Sequence, residues 1–267
     1  MTDPSRNIQV MGILNLNGDS YYAPSRYNMA VLESGADIVD IGAVSTRPGA
    51  EPVPEDVEWS RLEPVLRIVD PSVCISIDTT SANVVRRAAE LLGRRFIVND
   101  ISAGEDDCGM LAAVAEMGLG YVAMHKRGTP ATMQSLCSYG DVVEDVIRYF
   151  EDFSARAEAA GITDWILDPG FGFAKTMEQN FMLLNELERF SDIGHPVLVG
   201  ISRKSFIYKP LGISPEEALP ATQALHLAAL ERGADILRVH DVEAAKQTVA
   251  LYKALSFIDV PDGEVRL

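Results

Sequence analysis

Short apolar stretches rich in Val and Ile recur eight times along the chain. They lie at residues 10–14, 37–41, 73–77, 96–98, 120–124, 165–167, 197–201 and 236–239. Longer segments with apolar residues at i, i+3 and i+4 spacing separate them, among them 55–69, 81–92, 142–160 and 215–232. Because the short stretches are apolar throughout, they predict strands buried on both faces, as in a parallel sheet covered by helices. Eight such units predict an α/β fold, a single (β/α)8 TIM barrel with its active site at the C-terminal ends of the strands.

The length of the chain agrees with this architecture. A (β/α)8 barrel typically needs about 250 residues, and the chain has 267 residues without a Pro-, Gly- or Ser-rich linker. We therefore predict one barrel domain over residues 1–267. The alternative is an open doubly wound sheet, but its usual phosphate-binding motifs are missing. Gly170-Phe171-Gly172 lacks the third glycine of GxGxxG, and Lys175-Thr176 lacks the preceding P-loop spacing.

Composition narrows the possible partners. Lys and Arg total 23 against 39 Asp and Glu, a net charge of −16, which argues against binding to nucleic acid or to an anionic membrane surface. The three cysteines are odd in number and lack CxxC spacing, so neither a disulfide framework nor a zinc site is predicted. The polar N-terminus and the lack of an apolar run near the ~18 residues of a membrane span predict a cytoplasmic location.

A polar residue follows nearly every predicted strand. In a β/α barrel these positions converge on the face that carries the active site, although they come from distant parts of the chain. The residues are Asn15, Asp40, Asp78, Asn99, Asp100, His125, Asp168, Ser202, Arg203, Lys204, Ser205, Arg238 and His240.

The acidic and amide members of this set predict recognition of a flat heterocycle. Asp78, Asn99 and Asp168 offer several hydrogen-bond acceptors and one amide, which suits a ring with N–H donors along its edge. The alternative is that each residue caps the next helix or loop. Asp168 opens the segment Asp-Pro-Gly-Phe-Gly-Phe, in which Pro and Gly predict a tight loop.

The basic members predict a phosphate ligand. Arg47, Arg203, Lys204, Arg238 and His240 lie at predicted strand ends, and Arg238 and His240 face the same way because they are two residues apart on an extended strand. Arg forks suit phosphate oxygens, and Lys acts as a compact point charge. The alternative is ordinary solvated surface charge.

Taken together, these segments resemble the dihydropteroate synthase family. The resemblance is carried from the first strand to the last by Met11-Gly12-Ile13-Leu14-Asn15, Asp40-Ile41-Gly42, Ser45-Thr46-Arg47-Pro48-Gly49, Ser76-Ile77-Asp78-Thr79, Asn99-Asp100, Met124-His125, Asp168-Pro169-Gly170-Phe171-Gly172-Phe173, Ser202-Arg203-Lys204-Ser205 and Arg238-Val239-His240. It implies a transferase that joins 6-hydroxymethyl-7,8-dihydropterin pyrophosphate to p-aminobenzoate, with release of pyrophosphate, and it implies a homodimer.

The resemblance also implies roles for individual residues. The pterin would be bound by Asp78, Asn99, Met124, Asp168, Gly200 and Lys204. The pyrophosphate would be bound by Asn15, Thr46, Arg47, Arg238 and His240. The p-aminobenzoate would be bound by Pro48, Phe173, Arg203 and Ser205. Asn15 would ligate Mg²⁺, and Asp78, Lys204, Arg238 and His240 would be the catalytic residues.

The first loop departs from the family pattern, because Asn17-Gly18 and Tyr21 stand where the family usually has Thr-Pro and Phe. Glycine frees a backbone that proline would restrict, so we expect the segment from Asn15 to Tyr27 to be mobile without ligand. Two alternatives stay open: a catalytically silent pterin-binding paralogue, and a related methyltetrahydrofolate-binding methyltransferase barrel.

Overall fold

The protein folds around eight parallel strands that close into a barrel. The computed structural model describes residues 6–16, 28–45, 49–50, 53–129 and 131–256. The strands are β1 (Gln9–Asn15), β2 (Ile38–Gly42), β3 (Ile75–Asp78), β4 (Ile97–Asp100), β5 (Gly120–Met124), β6 (Trp165–Asp168), β7 (Leu198–Val199) and β8 (Ile236–Val239). Their order is β6-β5-β4-β3-β2-β1-β8-β7, and a parallel bridge between Leu167 and Val197 joins the two ends. The predicted barrel is therefore confirmed, and the open sheet is excluded.

Helices cover the outside of the barrel. They are α1 (Glu55–Leu66), α2 (Ala82–Leu92), α3 (Met110–Met117), α4 (Val142–Ala160), α5 (Met177–Asn185), α6 (Ser205–Leu211), α7 (Leu219–Glu231) and α8 (Val242–Ser256). Local sequence sets several of their ends, since Ser81 and Asp141 cap the first turns of α2 and α4 and Thr176 forms a capping box with Gln179 on α5. None of the helices in these described ranges combines the length and apolar character needed to cross a membrane.

The observed elements differ from the predicted ones in three places. Between β1 and β2 the described residues form only a 3-10 helix, Met29–Glu33, where the repeat predicts a full helix. Strand β7 is two residues long rather than five. Helices α3, α5, α6 and α8 were not among the segments singled out by their apolar spacing. The region around residues 17–27 lies outside the described residues, so the expected mobility of the first loop stays a prediction.

The interior of the barrel has an apolar lower part and a polar upper part. Alternate residues of a strand point to the same side. The lower part is a buried cluster of Met11, Ile38, Val122, Ile166, Leu198 and Ile236. Two residues further along the same strands come Ile13, Asp40, Met124, Asp168, Gly200 and Arg238. The strands thus use one inward-facing row to fill the core, and the next row places the charged side chains of Asp40, Asp168 and Arg238 at their C-terminal ends.

Candidate active site

A cavity of about 550 Å³ lies at the C-terminal ends of the strands. Nine of the fifteen predicted site residues line it: Asn15, Asp78, Phe173, Gly200, Arg203, Lys204, Ser205, Arg238 and His240. Arg238 and His240 both face it, as their spacing on β8 predicts. The cavity is large enough for a small organic ligand, since such sites usually measure roughly 300–1,000 Å³.

Three predicted pterin residues lie just behind the cavity wall. Asn99, Met124 and Asp168 are buried, with 4%, 3% and 7% of their surfaces exposed. Asp168 is close to the wall all the same, because a Cβ built on Gly200 would lie 3.9 Å from Asp168 Oδ2. The predicted residues Thr46, Arg47 and Pro48 lie outside the described residues.

A buried ionic network joins three strands at the floor of the cavity. The Arg238 guanidinium donates from Nε to Asp40 Oδ2 at 2.7 Å and from a terminal nitrogen to Asp78 Oδ2 at 2.9 Å. Asn99 Nδ2 also donates to Asp40 Oδ2, at 2.9 Å. This bond fixes the orientation of the Asn99 amide, whose carbonyl oxygen can accept from a ligand.

Burial and neighbouring charges shift the pKa values of Asp78 and Arg238 in this network. Burial raises the pKa of Asp78 to about 7, although the Arg238 charge opposes the shift. Burial also disfavours the Arg238 cation, but Asp40 and Asp78 outweigh it, so the pKa of Arg238 lies above its usual value. Arg238 is therefore always charged, whereas Asp78 can hold a proton near neutral pH.

Asp168 and Lys204 are two further ionisable groups at the cavity, and the charge of each affects the pKa of the other. Burial raises the pKa of Asp168, with Lys204 opposing the shift, and burial lowers the pKa of Lys204 to about 8. Lys204 Nζ donates to the carbonyl oxygen of Phe171 and lies 4.9 Å from the centre of the Phe173 ring. The lysine thereby links the pterin-side carboxylate to the aromatic side of the cavity.

His240 differs from what its place among the basic residues predicts. Burial, followed by the charge of Arg238, lowers the pKa of His240 to about 3. Its Nδ1 lies 3.0 Å from the hydroxyl of Ser202. Burial and the charges of Arg238, Arg203 and Lys204 thus disfavour the cationic form of His240, and its contact with pyrophosphate stays a prediction.

The Arg203 guanidinium is held mainly by the protein itself. It forms a two-pronged ion pair with Asp241, at 2.8 and 2.9 Å, and donates to the carbonyl oxygens of Pro215 and Glu216. Only 4% of the residue is exposed, and its backbone has a φ of +54°. Arg203 contributes to the cavity wall, and its predicted contact with an amine substrate stays a prediction.

Sequence reasoning gave no role to two residues of the site. Asp40 is one of the strand-end residues, but only the fold shows that it accepts hydrogen bonds from both Asn99 and Arg238. Lys175 follows the glycine-rich loop, lines the cavity and is 4% exposed; burial lowers its pKa to about 7. One signal existed for Lys175, a single lysine directly after the apolar run Phe171-Gly172-Phe173-Ala174.

These features define a barrel enzyme whose site suits a flat polar heterocycle and an anionic group. Comparison with known proteins agrees. A family model described as pterin binding enzyme matches residues 11–240. The chain is 39% identical over 258 residues to dihydropteroate synthase of Escherichia coli strain K12, covering 92% of this chain and 90% of that protein.

Solved structures show the same likeness. A Yersinia pestis dihydropteroate synthase with a sulfonamide drug has a TM-score of 0.87 and 36% identity, covering 95% of each chain. A Thermus thermophilus dihydropteroate synthase in complex with 4-aminobenzoate has a TM-score of 0.84 and 41% identity, covering 95% of this chain and 96% of that one. The chain belongs to the dihydropteroate synthase family of pterin-binding enzymes. Its members are transferases, so the predicted family and enzyme class are confirmed.

Proposed function

We propose that the protein joins 6-hydroxymethyl-7,8-dihydropterin pyrophosphate to p-aminobenzoate, giving 7,8-dihydropteroate and pyrophosphate. The observation that carries this proposal is the meeting of two buried carboxylates, Asp78 and Asp168, with the cations of Lys204 and Arg238 at one cavity. Such a site can hold a neutral ring with several N–H donors beside an anionic leaving group. The Yersinia and Thermus relatives, which carry a sulfonamide and 4-aminobenzoate, support the same class of amine.

The pterin side of the site is rich in acceptors. Asp78, Asp168 and the carbonyl oxygen of Asn99 face the position of the ring, and Lys204 supplies a donor. A pterin presents an amino group and ring N–H groups along one edge and a carbonyl and ring nitrogens along the other, so the two sets match. We also assign Met124 and Gly200 to this subsite, Gly200 because it lines the cavity beside Asp168 and Arg238.

The reaction replaces a carbon–oxygen bond with a carbon–nitrogen bond. The amine nitrogen attacks the methylene carbon of the pterin, and the C–O bond to pyrophosphate breaks with its electron pair on the leaving oxygen. The nitrogen then loses one proton to water or to the released pyrophosphate. Charge develops on that oxygen, so groups already aimed at it lower the barrier. Arg238 and His240 take this role in our proposal, together with Thr46 and Arg47, which lie outside the described residues.

The amine subsite lies on the aromatic side of the cavity. Phe173 and Ser205 line it with Arg203, and Pro48 is assigned to it by resemblance. The aromatic amine is already neutral at pH 7, so a strong general base is not needed for the attack. The task of this subsite is to hold the nitrogen in line with the methylene carbon.

Mg²⁺ fits the site only together with the phosphate groups. Asn15 ends β1 and lines the cavity, and its amide oxygen is a hard ligand suited to Mg²⁺. The described part of the chain contains no group of three or more His, Cys, Asp or Glu that could hold a metal by itself. A magnesium ion bound by Asn15 and pyrophosphate would supply neutralisation of the leaving group, and we expect calorimetry to show weak Mg²⁺ binding without pyrophosphate.

An assay of pyrophosphate release tests the proposal. The purified protein is given the pterin pyrophosphate with and without p-aminobenzoate, and pyrophosphate and dihydropteroate are measured together. We expect equal amounts of both, and only when the amine is present. Pterin binding without turnover would favour the silent paralogue, and methyl transfer from methyltetrahydrofolate without pyrophosphate release would favour the methyltransferase.

Two further expectations about the protein stay proposals. We propose that it is a homodimer and that it works in the cytoplasm. Sedimentation of the purified protein over a range of concentrations tests the first, and fractionation of cells tests the second.

A further inference from the structure

The loop from β6 to α5 has an unusual backbone. Gly170 has a φ of +70°, Gly172 of +81° and Ala174 of +48°. The left-handed region is costly for a residue with a side chain, so Ala174 needs support from its surroundings. At Gly170 a Cβ would lie 2.0 Å from the carbonyl oxygen of His125, which shows how closely the loop packs on the end of β5.

Lys175 supplies much of that support. Its ammonium nitrogen donates to the carbonyl oxygens of Gly170, at 2.9 Å, and Phe173, at 3.0 Å. It also lies 3.0 Å from Nδ1 of His125. An ammonium group has three donors and no acceptor, so all three N–H groups are used and His125 Nδ1 accepts. One nitrogen atom thus ties the loop to itself and to the next strand.

The same loop positions three groups of the site. It begins at Asp168, whose Oδ1 accepts from the backbone N–H of Gly170 at 2.8 Å. It presents the carbonyl oxygen of Phe171 to Lys204, and it places the Phe173 ring 4.9 Å from the Lys204 nitrogen. A shift of the loop would therefore move the aromatic side of the cavity and release Lys204 from its anchor.

We propose that Lys175 is a positioning residue for the amine substrate, p-aminobenzoate, and that it acts through the loop that carries Phe173. This inference rests on the proposed function, because it assigns the aromatic side of the cavity to p-aminobenzoate. Asp168 stays near its place without Lys175, since β6 itself and the backbone of Gly170 hold it. The effect of losing Lys175 should therefore fall on the amine far more than on the pterin.

Lys175 holds the loop through the single nitrogen atom at the end of its side chain. Its surroundings include the charged or titratable groups of His125, Asp168, Lys204, Arg127 and Cys137. A planar Arg fork is larger and cannot point three donors at one small ring of acceptors. Methionine has a similar length but no donor, so the carbonyl oxygen of Phe173 would lose its bond to Lys175, and that of Gly170 would keep only the backbone N–H of Phe173.

The test compares Lys175→Met with Lys126→Met. Lys126 is a matched control, because it is also buried, at 7% exposed, and lies next to His125 after β5, but it pairs with Asp106 rather than with the loop. Steady-state rates give kcat and the KM for p-aminobenzoate, and calorimetry gives the Kd of a non-reacting pterin. Misplacing a reacting group by about 1 Å can cost ~10²-fold, so kcat/KM for the amine should fall at least ~10-fold in Lys175→Met.

The remaining outcomes separate positioning from general destabilisation. Pterin affinity in Lys175→Met should stay within ~3-fold of the parent protein, and Lys126→Met should keep the parent KM whatever its melting temperature. If Lys175→Met does not fold, Lys175→Gln replaces it, because its amide keeps two donors; we then expect a KM increase of at least ~3-fold. Addition of propylammonium to Lys175→Ala should restore part of the lost rate.

The inference is overturned if a folded Lys175 variant keeps the parent KM for p-aminobenzoate, or if amine and pterin binding weaken equally. It is also overturned if Lys126→Met shows the same loss. These results differ from failure of the proposed function, in which the unmodified protein itself releases no pyrophosphate with p-aminobenzoate.

Discussion

The two ends of the barrel use aspartate in opposite ways. At the N-terminal end, Asp37 and Asp235 accept backbone N–H groups of Val10 and Val197 at 2.8 and 2.9 Å, and Asp235 pairs with the partly exposed Arg6. At the C-terminal end, Asp40 and Asp78 are buried and share Arg238. The first arrangement satisfies backbone groups where strands begin. The second concentrates charge that a ligand can use.

The difference teaches that residue type alone does not separate structural from functional carboxylates. A carboxylate that bonds backbone amides at the edge of the barrel contributes stability at little cost, because water still reaches it. Two carboxylates around one cation inside the barrel are costly to bury. Proteins retain such costly groups mainly where they have a function.

The largest expected effect is that of Arg238→Met. It leaves Asp40 and Asp78 buried without their cation, and breaking a buried ion pair in this way costs about 3–5 kcal/mol. Urea unfolding measures this loss, and the pyrophosphate-release assay should show no turnover. Arg6→Met, the same change at the other end, should cost about 1–2 kcal/mol and leave kcat unchanged. Equal losses of stability in the two variants would contradict the comparison.

The second largest expected effect is that of Asp78→Asn. It removes a carboxylate aimed at the pterin, so we expect kcat/KM to fall at least ~10²-fold with the fold intact; Lys204→Ala should do the same. Circular dichroism checks the fold in both. Asp235→Asn serves as the control, because it changes the same group at the far end of the barrel. Near-normal turnover in folded Asp78→Asn would remove Asp78 from its assigned role.

The dependence of stability on pH should also separate the two ends. The pKa of Asp78 is about 7 in the folded protein and near 3.8 in the unfolded chain, so the folded state holds a proton that the unfolded state has lost. The contribution of Asp78 to the free energy of unfolding is therefore fully present below pH ~4 and is lost as the pH rises through 7. Lys175 and Lys204, with lowered pKa values of about 7 and about 8, act in the opposite direction above pH 7.

Unfolding in urea at pH 5 and pH 8 measures this contribution. The free energy of unfolding of Asp78→Asn, relative to that of the parent protein, should rise between the two values. Asp235→Asn should show no such rise. Parallel curves for Asp78→Asn and the parent would mean that Asp78 is ionised throughout.

The smallest expected effect concerns an exposed ion pair near the N-terminal ends of β4 and β6. Arg95 pairs with Asp164, and their side chains are 60% and 63% exposed. Exposed pairs contribute roughly 0–1 kcal/mol, so Arg95→Ala should lower the free energy of unfolding by less than about 1 kcal/mol. A larger loss would show that ion pairs at this end of the barrel do more than satisfy exposed groups.

The sequence was sufficient for the barrel and for most of the residues around the cavity. Strands β5 and β8 and helix α4 have the predicted bounds, because their apolar pattern is regular and Asp141 and Gly161 mark the ends of α4. Strand β7 is shorter than predicted. An apolar run shows that a segment is buried, but not how many of its residues find a pairing partner.

What the sequence by itself determined is therefore the kind of residue at each strand end, since period-two alternation in a parallel barrel brings these ends together. Only the tertiary structure decided how their charges are shared. The lowered pKa of His240, the ion pair of Arg203 with Asp241 and the contact of Lys175 with His125 all depend on burial and on neighbours 38 to 50 residues away. Electrostatic energies inside a protein depend on the distances between charges and on the access of water, and the sequence alone gives neither quantity.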